Sequence, residues 1–232
     1  MHKKIGILGG LSPESTSTYY NHIIREYAKR YTDDNYPEII IYSVNFREFI
    51  DWQNKERWDL AANKMIEVFN ILEKAGADFG LIATNTMHIV LDKVQSEISI
   101  PILSIIESTA EVINQEKIKT VGLLGTIFTM SRDFYKQGLE KKGIATLVPE
   151  NKEQELINKI IFQELSKGII KPQSKTEYIK IINKLKTRGA EGIILGCTEI
   201  PLLISGEDCT IRLYDTTRIH AQKALNFATN SL

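Results

Sequence analysis

The chain has 232 residues, 43% of them hydrophobic, enough for one large domain or two small ones with substantial cores. It carries 29 lysines and arginines against 29 aspartates and glutamates, and this zero net charge argues against a general nucleic-acid binder, which needs a basic excess or stripe. No apolar run approaches the ~20 residues that span a bilayer, the start Met1-His2-Lys3-Lys4-Ile5 has no signal-peptide pattern, and the two cysteines form neither a disulfide framework nor a CxxC or CxxH zinc pair. A cytoplasmic, reducing location with no metal, membrane or nucleic-acid partner is the expectation.

In chain order the pattern predicts strand 4–8, helix 14–31, strand 38–44, helix 57–75, strand 79–83, helix 87–94, strand 102–104 and helix 108–115. It continues with strand 120–124, helix 131–142, strand 145–148, helix 152–166, helix 175–188, strand 192–195, helix 199–204, strand 211–214 and helix 217–229. Continuous apolar runs such as Ile39-Ile40-Ile41 suggest strands buried on both faces, and alternation with helices indicates α/β architecture with parallel sheets. Gly76 and Gly189 follow charged helix ends and look like C-terminal caps.

Two segments align without a gap at an offset of 113 residues. Gly76-Ala77-Asp78-Phe79-Gly80-Leu81-Ile82-Ala83-Thr84-Asn85-Thr86 matches Gly189-Ala190-Glu191-Gly192-Ile193-Ile194-Leu195-Gly196-Cys197-Thr198-Glu199, so Thr84 is the counterpart of Cys197. A second pair, Lys4-Ile5-Gly6-Ile7-Leu8-Gly9-Gly10 and Thr120-Val121-Gly122-Leu123-Leu124-Gly125-Thr126, is offset by 116. We read a duplication giving two similar α/β domains, residues 1–103 plus 214–232 and residues 104–213, with the first crossover near 100–104.

The Gly-rich start lacks the GxG of a dinucleotide site and the lysine of a phosphate-binding loop, leaving Gly9 and Gly10 as a weak signal for a small carboxylate or phosphate. Cys197 sits between an apolar strand and a predicted helix start, at a strand carboxyl end where α/β proteins bind ligands. A helix N-terminus favours the thiolate, downward from about 8.5, so Cys197 can serve as a base or a nucleophile; a packed small hydrophobe is the alternative, and the one we assign to Cys209. Asn85, Thr86 and Thr198 offer donors beside Thr84 and Cys197 for a carboxylate becoming enolate-like, or serve as helix N-caps.

Gly9-Gly10-Leu11-Ser12-Pro13-Glu14-Ser15-Thr16, Thr84-Asn85-Thr86-Met87-His88, Leu124-Gly125-Thr126 and Gly196-Cys197-Thr198-Glu199 together resemble the aspartate/glutamate racemase family over essentially the whole chain. The resemblance implies two pseudo-symmetric α/β domains with the active site in the cleft between them, no cofactor, and a homodimer. It implies two cysteines that remove and return the α-proton from opposite faces; here Thr84 stands in place of the first. It implies that Cys197 takes the proton of the L-enantiomer, that Thr84 reprotonates, and that Ser12, Arg47, Asn85, Thr86, Thr126, Lys167 and Thr198 bind an acidic amino acid, with Arg47 and Lys167 on the distal carboxylate. Met130, Asp215, His220, His88 and Glu199 lie near these motifs without an assigned part. Two other readings stay open: a one-cysteine decarboxylase of a substituted malonate, and a non-catalytic amino-acid-binding relative.

Overall fold

A computed structural model describes residues 2–229 of the chain. The chain divides into two compact units, one made of the residues up to Ile105 together with those from Thr217 onward, the other of Ile106–Thr216. In the first unit the strands are β1 Ile5–Gly9, β2 Ile39–Ser43, β3 Phe79–Ile82 and β4 Ile102–Leu103. In the second they are β5 Thr120–Gly125, β6 Ala145–Leu147, β7 Gly192–Gly196 and β8 Arg212–Asp215. The sheets run β2-β1-β3-β4 and β6-β5-β7-β8, with every pair parallel. All eight predicted strands are present.

The helices are α1 Pro13–Arg30, α2 Phe46–Asn54, α3 Trp58–Lys74, α4 Leu91–Ser96, α5 Ile105–Gln115, α6 Ile127–Ser131, α7 Asp133–Glu140, α8 Asn151–Gln163, α9 Pro172–Thr187 and α10 Thr216–Ala228. In the first sheet, alternation along the strands separates two cores. Ile5, Ile7, Phe79 and Leu81 pack with Tyr19 and Ile23 of α1 and Ala221, Ala224 and Leu225 of α10. Leu8 and Ile82 pack on the other face with Met65, Val68, Phe69 and Leu72 of α3. Gly80 lets α3 come close, since a Cβ there would stand 2.4 Å from the Phe69 ring. In the second sheet Leu124, Ile193 and Leu195 pack with α8 and α9 through Ile157, Ile161, Tyr178 and Leu185.

The two offsets in the sequence meet in the strand register. Gly6 pairs with Gly80 and Leu8 with Ile82; Gly122 pairs with Ile193 and Leu124 with Leu195. Adding 116 to the first partner and 113 to the second converts one set into the other, so the repeats share one pairing frame. Both also share one helix-ending turn. Gly76 and Gly189 adopt φ of +98° and +102°. Gly76 N–H bonds to Glu73 and Ala77 N–H to Leu72; Gly189 N–H bonds to Lys186 and Ala190 N–H to Leu185. Each is a Schellman cap, as the sequence predicts.

Four expectations need correction. The Ile39–Ile41 run forms β2, an edge strand with Ile41 40% exposed, so it is not buried on both faces. Helix α2 was not predicted; Asn45 caps it by accepting Arg47 N–H, and it buries only Phe49 and Gln53 of a mostly polar stretch. The predicted helix 131–142 is split because Arg132 is extended, at φ −85° and ψ 155°, ending α6 and starting α7. The predicted helix 199–204 is a three-residue 3-10 turn, Ile200–Leu202, containing Pro201.

The glycine roles give a stability prediction. Nothing stands within 4 Å of a Cβ at Gly189, so Gly189→Ala should cost about 1 kcal/mol, from backbone conformation alone. Gly80→Ala should cost more, about 1–3 kcal/mol or above, because the Phe69 ring must move. Urea denaturation of both variants checks the order.

Candidate active site

The loops at the carboxyl ends of β1, β2 and β3 gather in the first unit. Ser12 caps α1 with its hydroxyl accepting Ser15 N–H at 3.4 Å, in an unfavourable backbone conformation at φ 142°. Such outliers persist where surrounding bonds over-determine them and concentrate at functional sites. Here Thr16 supplies the bonds: its hydroxyl donates to the Ser12 carbonyl at 3.1 Å and accepts Gly10 N–H at 2.8 Å. Ser15 donates its hydroxyl to the Ala83 carbonyl at 2.8 Å, joining the β1 loop to the β3 exit.

Thr84 is partly buried, two residues beyond β3, and Asn85 and Thr86 are buried behind it. The Thr86–Val90 3-10 turn follows, leading into α4. His88, one turn on, donates Nδ1–H to the Thr84 carbonyl at 2.9 Å and accepts Ile105 N–H on Nε2 at 3.1 Å. His220 donates Nε2–H to the Leu103 carbonyl at 2.9 Å and accepts the Tyr19 hydroxyl on Nδ1 at 2.8 Å. Each ring is thereby fixed as one neutral tautomer. Burial pushes His88 down to about 4; burial and the neighbouring His88 push His220 down to about 3. Arg47, the second residue of α2, has its side chain 80% exposed and its guanidinium 3.1 Å from Asp51.

In the second unit Cys197 follows β7 directly and is 9% exposed. Its thiol donates to Glu199 Oε2 at 2.9 Å, and the Thr198 hydroxyl donates to the same oxygen at 2.8 Å. Burial and the adjacent Glu199 carboxylate push the thiol well above its ordinary range, outweighing the backbone N–H groups of Glu199 and Thr198. This corrects the expectation of a favoured thiolate: the turn after Cys197 is too short for a helix-terminus effect, and the thiol is buried with a carboxylate oxygen 2.9 Å away. The resting group is a thiol hydrogen-bonded to an acceptor for its proton. Thr126 caps α6 through Thr129 N–H at 3.3 Å, so its hydroxyl, like that of Ser12 at α1, serves as a helix N-cap. Lys167 is exposed at the end of the Leu165–Lys167 turn. Cys209 packs against the second-unit core, as expected.

The sequence assigns no part to three residues here. Ser15 lay inside a quoted motif, and His88 carried a legible signal in its four-residue spacing from Thr84. Tyr178 gave none: it lies on the apolar stripe of α9 and shares a core with Cys197. Burial, then the acidic neighbours Cys197, Glu164 and Glu199, hold its phenol protonated.

The family model described as Asp/Glu/Hydantoin racemase matches residues 8–224. The solved structure of an aspartate racemase homologue from Pyrococcus horikoshii OT3 superposes with a TM-score of 0.87 at 42% identity, covering 98% of this chain and 99% of that one. That of a candidate Asp/Glu racemase from Yersinia pestis superposes with a TM-score of 0.92 at 40% identity, with the same coverage. The broad specificity amino-acid racemase RacX of Bacillus subtilis (strain 168) is 27% identical over 96% of each chain.

Two outcomes test these electrostatics. Glu199→Gln removes a charge that, with burial, raises the Cys197 thiol, so the pH midpoint of Cys197 alkylation by iodoacetamide should fall; an unchanged or higher midpoint contradicts the assignment. The two histidines stay neutral when folded but titrate near 6.5 when unfolded. The unfolded chain therefore binds more protons below 6.5, and stability should fall as pH drops from about 6.5 toward about 4. Urea midpoints across that window should slope less in His220→Gln than in the parent protein.

Proposed function

The chain belongs to the Asp/Glu/Hydantoin racemase family, and we propose that it racemises an acidic amino acid, aspartate or glutamate, without a cofactor, by proton transfer at Cys197 and Thr84. The observation that carries this reading is the hydrogen bond from the Cys197 thiol to Glu199. A buried thiol beside a carboxylate can pass its proton to that carboxylate, and the thiolate can then take the α-proton of an L-amino acid. Asn85, Thr86 and Thr198 are the proposed donors to the substrate carboxylate as charge moves onto it. Arg47, released from Asp51, and Lys167 are the proposed partners of the distal carboxylate, which a guanidinium can hold in bidentate fashion.

On the other face Thr84 returns a proton. A threonine hydroxyl is a far weaker acid than a thiol, so it is a poor base at neutral pH, yet it can protonate a strongly basic carbanion. The proton that left Cys197 remains on Glu199 until solvent carries one back to the threonine oxygen, which closes the balance. The two directions then differ in rate, with L-substrate deprotonated faster, while the equilibrium between enantiomers is unaffected. The similarity to a broad specificity racemase adds a wider range of L-amino acids to the substrates worth testing.

Thr84 also favours a second reading, decarboxylation of a substituted malonate. Loss of carbon dioxide leaves a carbanion that needs a single proton donor, and Cys197 alone would suffice.

In deuterated water, L-aspartate or L-glutamate should exchange its α-proton at least ~10-fold faster than the D-enantiomer, and Cys197→Ala should lose about 10²-fold or more of that exchange. Thr84→Cys should raise exchange from D-substrate. The absence of exchange on every acidic amino acid, or carbon dioxide release from a malonate in its place, would sink the racemase reading.

A further inference from the structure

Thr84 leaves β3 with its backbone held by side chains. Its N–H turns back to the Ile82 carbonyl at 2.8 Å. The preceding carbonyl, on Ala83, accepts the Ser15 hydroxyl at 2.8 Å, and the Thr84 carbonyl accepts His88 Nδ1–H at 2.9 Å. The other ring nitrogen of His88 is committed to Ile105 N–H at 3.1 Å, so the ring cannot flip without losing both bonds. His88 backbone N–H also donates to the Asn85 carbonyl at 3.1 Å, so one residue closes on two successive carbonyls. Ser15 and His88 are both buried, and with its proton affinity pushed down to about 4 the His88 ring keeps this arrangement across neutral pH.

The strand exit in the other repeat is built differently. The residue 113 positions beyond His88 is Pro201, which has neither a ring donor nor a backbone N–H. There the Cys197 carbonyl accepts Ile200 N–H at 3.1 Å, the ordinary bond of a 3-10 turn. The side-chain brace therefore accompanies the threonine, and the carboxylate accompanies the cysteine.

The chemistry supplies a reason for the difference. The proton affinity of a thiol is set by its surroundings, as burial and Glu199 do for Cys197. A threonine hydroxyl lies too far above neutrality for neighbours to bring it into range, so its usefulness as a donor depends on where its oxygen stands. The β-branch restricts χ1 to few rotamers, so fixing the Thr84 backbone narrows where that oxygen can stand.

We infer that His88, supported by Ser15, is a positioning residue for Thr84, setting the line along which the threonine hydroxyl returns a proton; this rests on the racemase reading above. The two rates that test it are solvent deuterium exchange at the α-carbon of L-glutamate and L-aspartate, read by proton NMR, and inversion to the D-isomer, read by chiral chromatography. A mispositioned Thr84 leaves deprotonation at Cys197 intact, so exchange continues with retained configuration while inversion fails. In His88→Gln the ratio of inversion to exchange should fall about tenfold or more, since a misplacement of ~1 Å can cost ~100-fold. His88→Asn, whose amide nitrogen stands near the place of Nδ1, should keep the ratio within about threefold of the parent protein. Parallel loss of both rates in His88→Gln, or no change in the ratio, would overturn the inference, as would an equal fall of the ratio in His88→Asn. If His88→Gln does not fold, Ser15→Ala decides by the same ratio: a selective fall in inversion supports the brace, and a parallel fall or no change overturns it. Parent protein that exchanges no α-proton removes the racemase reading itself, a result distinct from any of these.

Discussion

Asp78 and Glu191 set the frame in which both candidate catalytic residues stand. Each follows a left-handed glycine that ends a helix, and each turns its carboxylate onto backbone N–H groups at the start of the neighbouring strand. Asp78 accepts Lys4 N–H at 2.6 Å; Glu191 accepts those of Lys119 and Thr120 at 3.1 and 2.9 Å. Return bonds run from Asp78 N–H to the Lys4 carbonyl and from Glu191 N–H to the Thr120 carbonyl, both 2.9 Å. These reciprocal bonds tie β3 to β1 and β7 to β5. A slip of one residue would turn every side chain to the opposite face of its sheet. With register fixed, the sixth residue after each acid is Thr84 in one unit and Cys197 in the other, both just beyond a strand carboxyl end.

From one frame the two exits depart in opposite ways. At Cys197 a carboxylate sits two residues on, where the other repeat has Thr86, and it makes the thiol a weaker acid while standing ready to accept its proton. At Thr84 there is no adjacent acid in the sequence; the residues around it fix its backbone through Ser15 and His88. In the proposed reaction this is a division of labour between a tunable group and a placed one. The Glu199 carboxylate has a second donor, the Thr198 hydroxyl, which orients the oxygen that faces the thiol.

Much of this fold is legible in the sequence because a buried parallel sheet leaves strong marks. Both faces of β1, β3, β5 and β7 must be apolar, and the Schellman glycines and the repeated acid survive as an ungapped match. The edge strand β2 misleads, since Ile39, Ile40 and Ile41 read as central although neither face is fully covered. Helix α2 is easily passed over because it is only 9 residues long, although Phe46, Phe49 and Ile50 keep helical spacing. At the site, Thr84 and Cys197 stand out by their paired positions. The raised thiol does not, because its causes are the burial of Cys197 and the direction of the Glu199 side chain, which sequence spacing leaves undetermined. Nor does the state of Arg47, whose guanidinium rests against Asp51 on its own helix.

In the proposed racemisation Thr84 and Cys197 act on one α-carbon from opposite faces. Thr84→Ala tests it most directly, with L-glutamate and L-aspartate in deuterated water. Deuterium should continue to enter the L-substrate with configuration retained, and D-isomer formation should be lost. Racemisation by Thr84→Ala at the rate of the parent protein would contradict it.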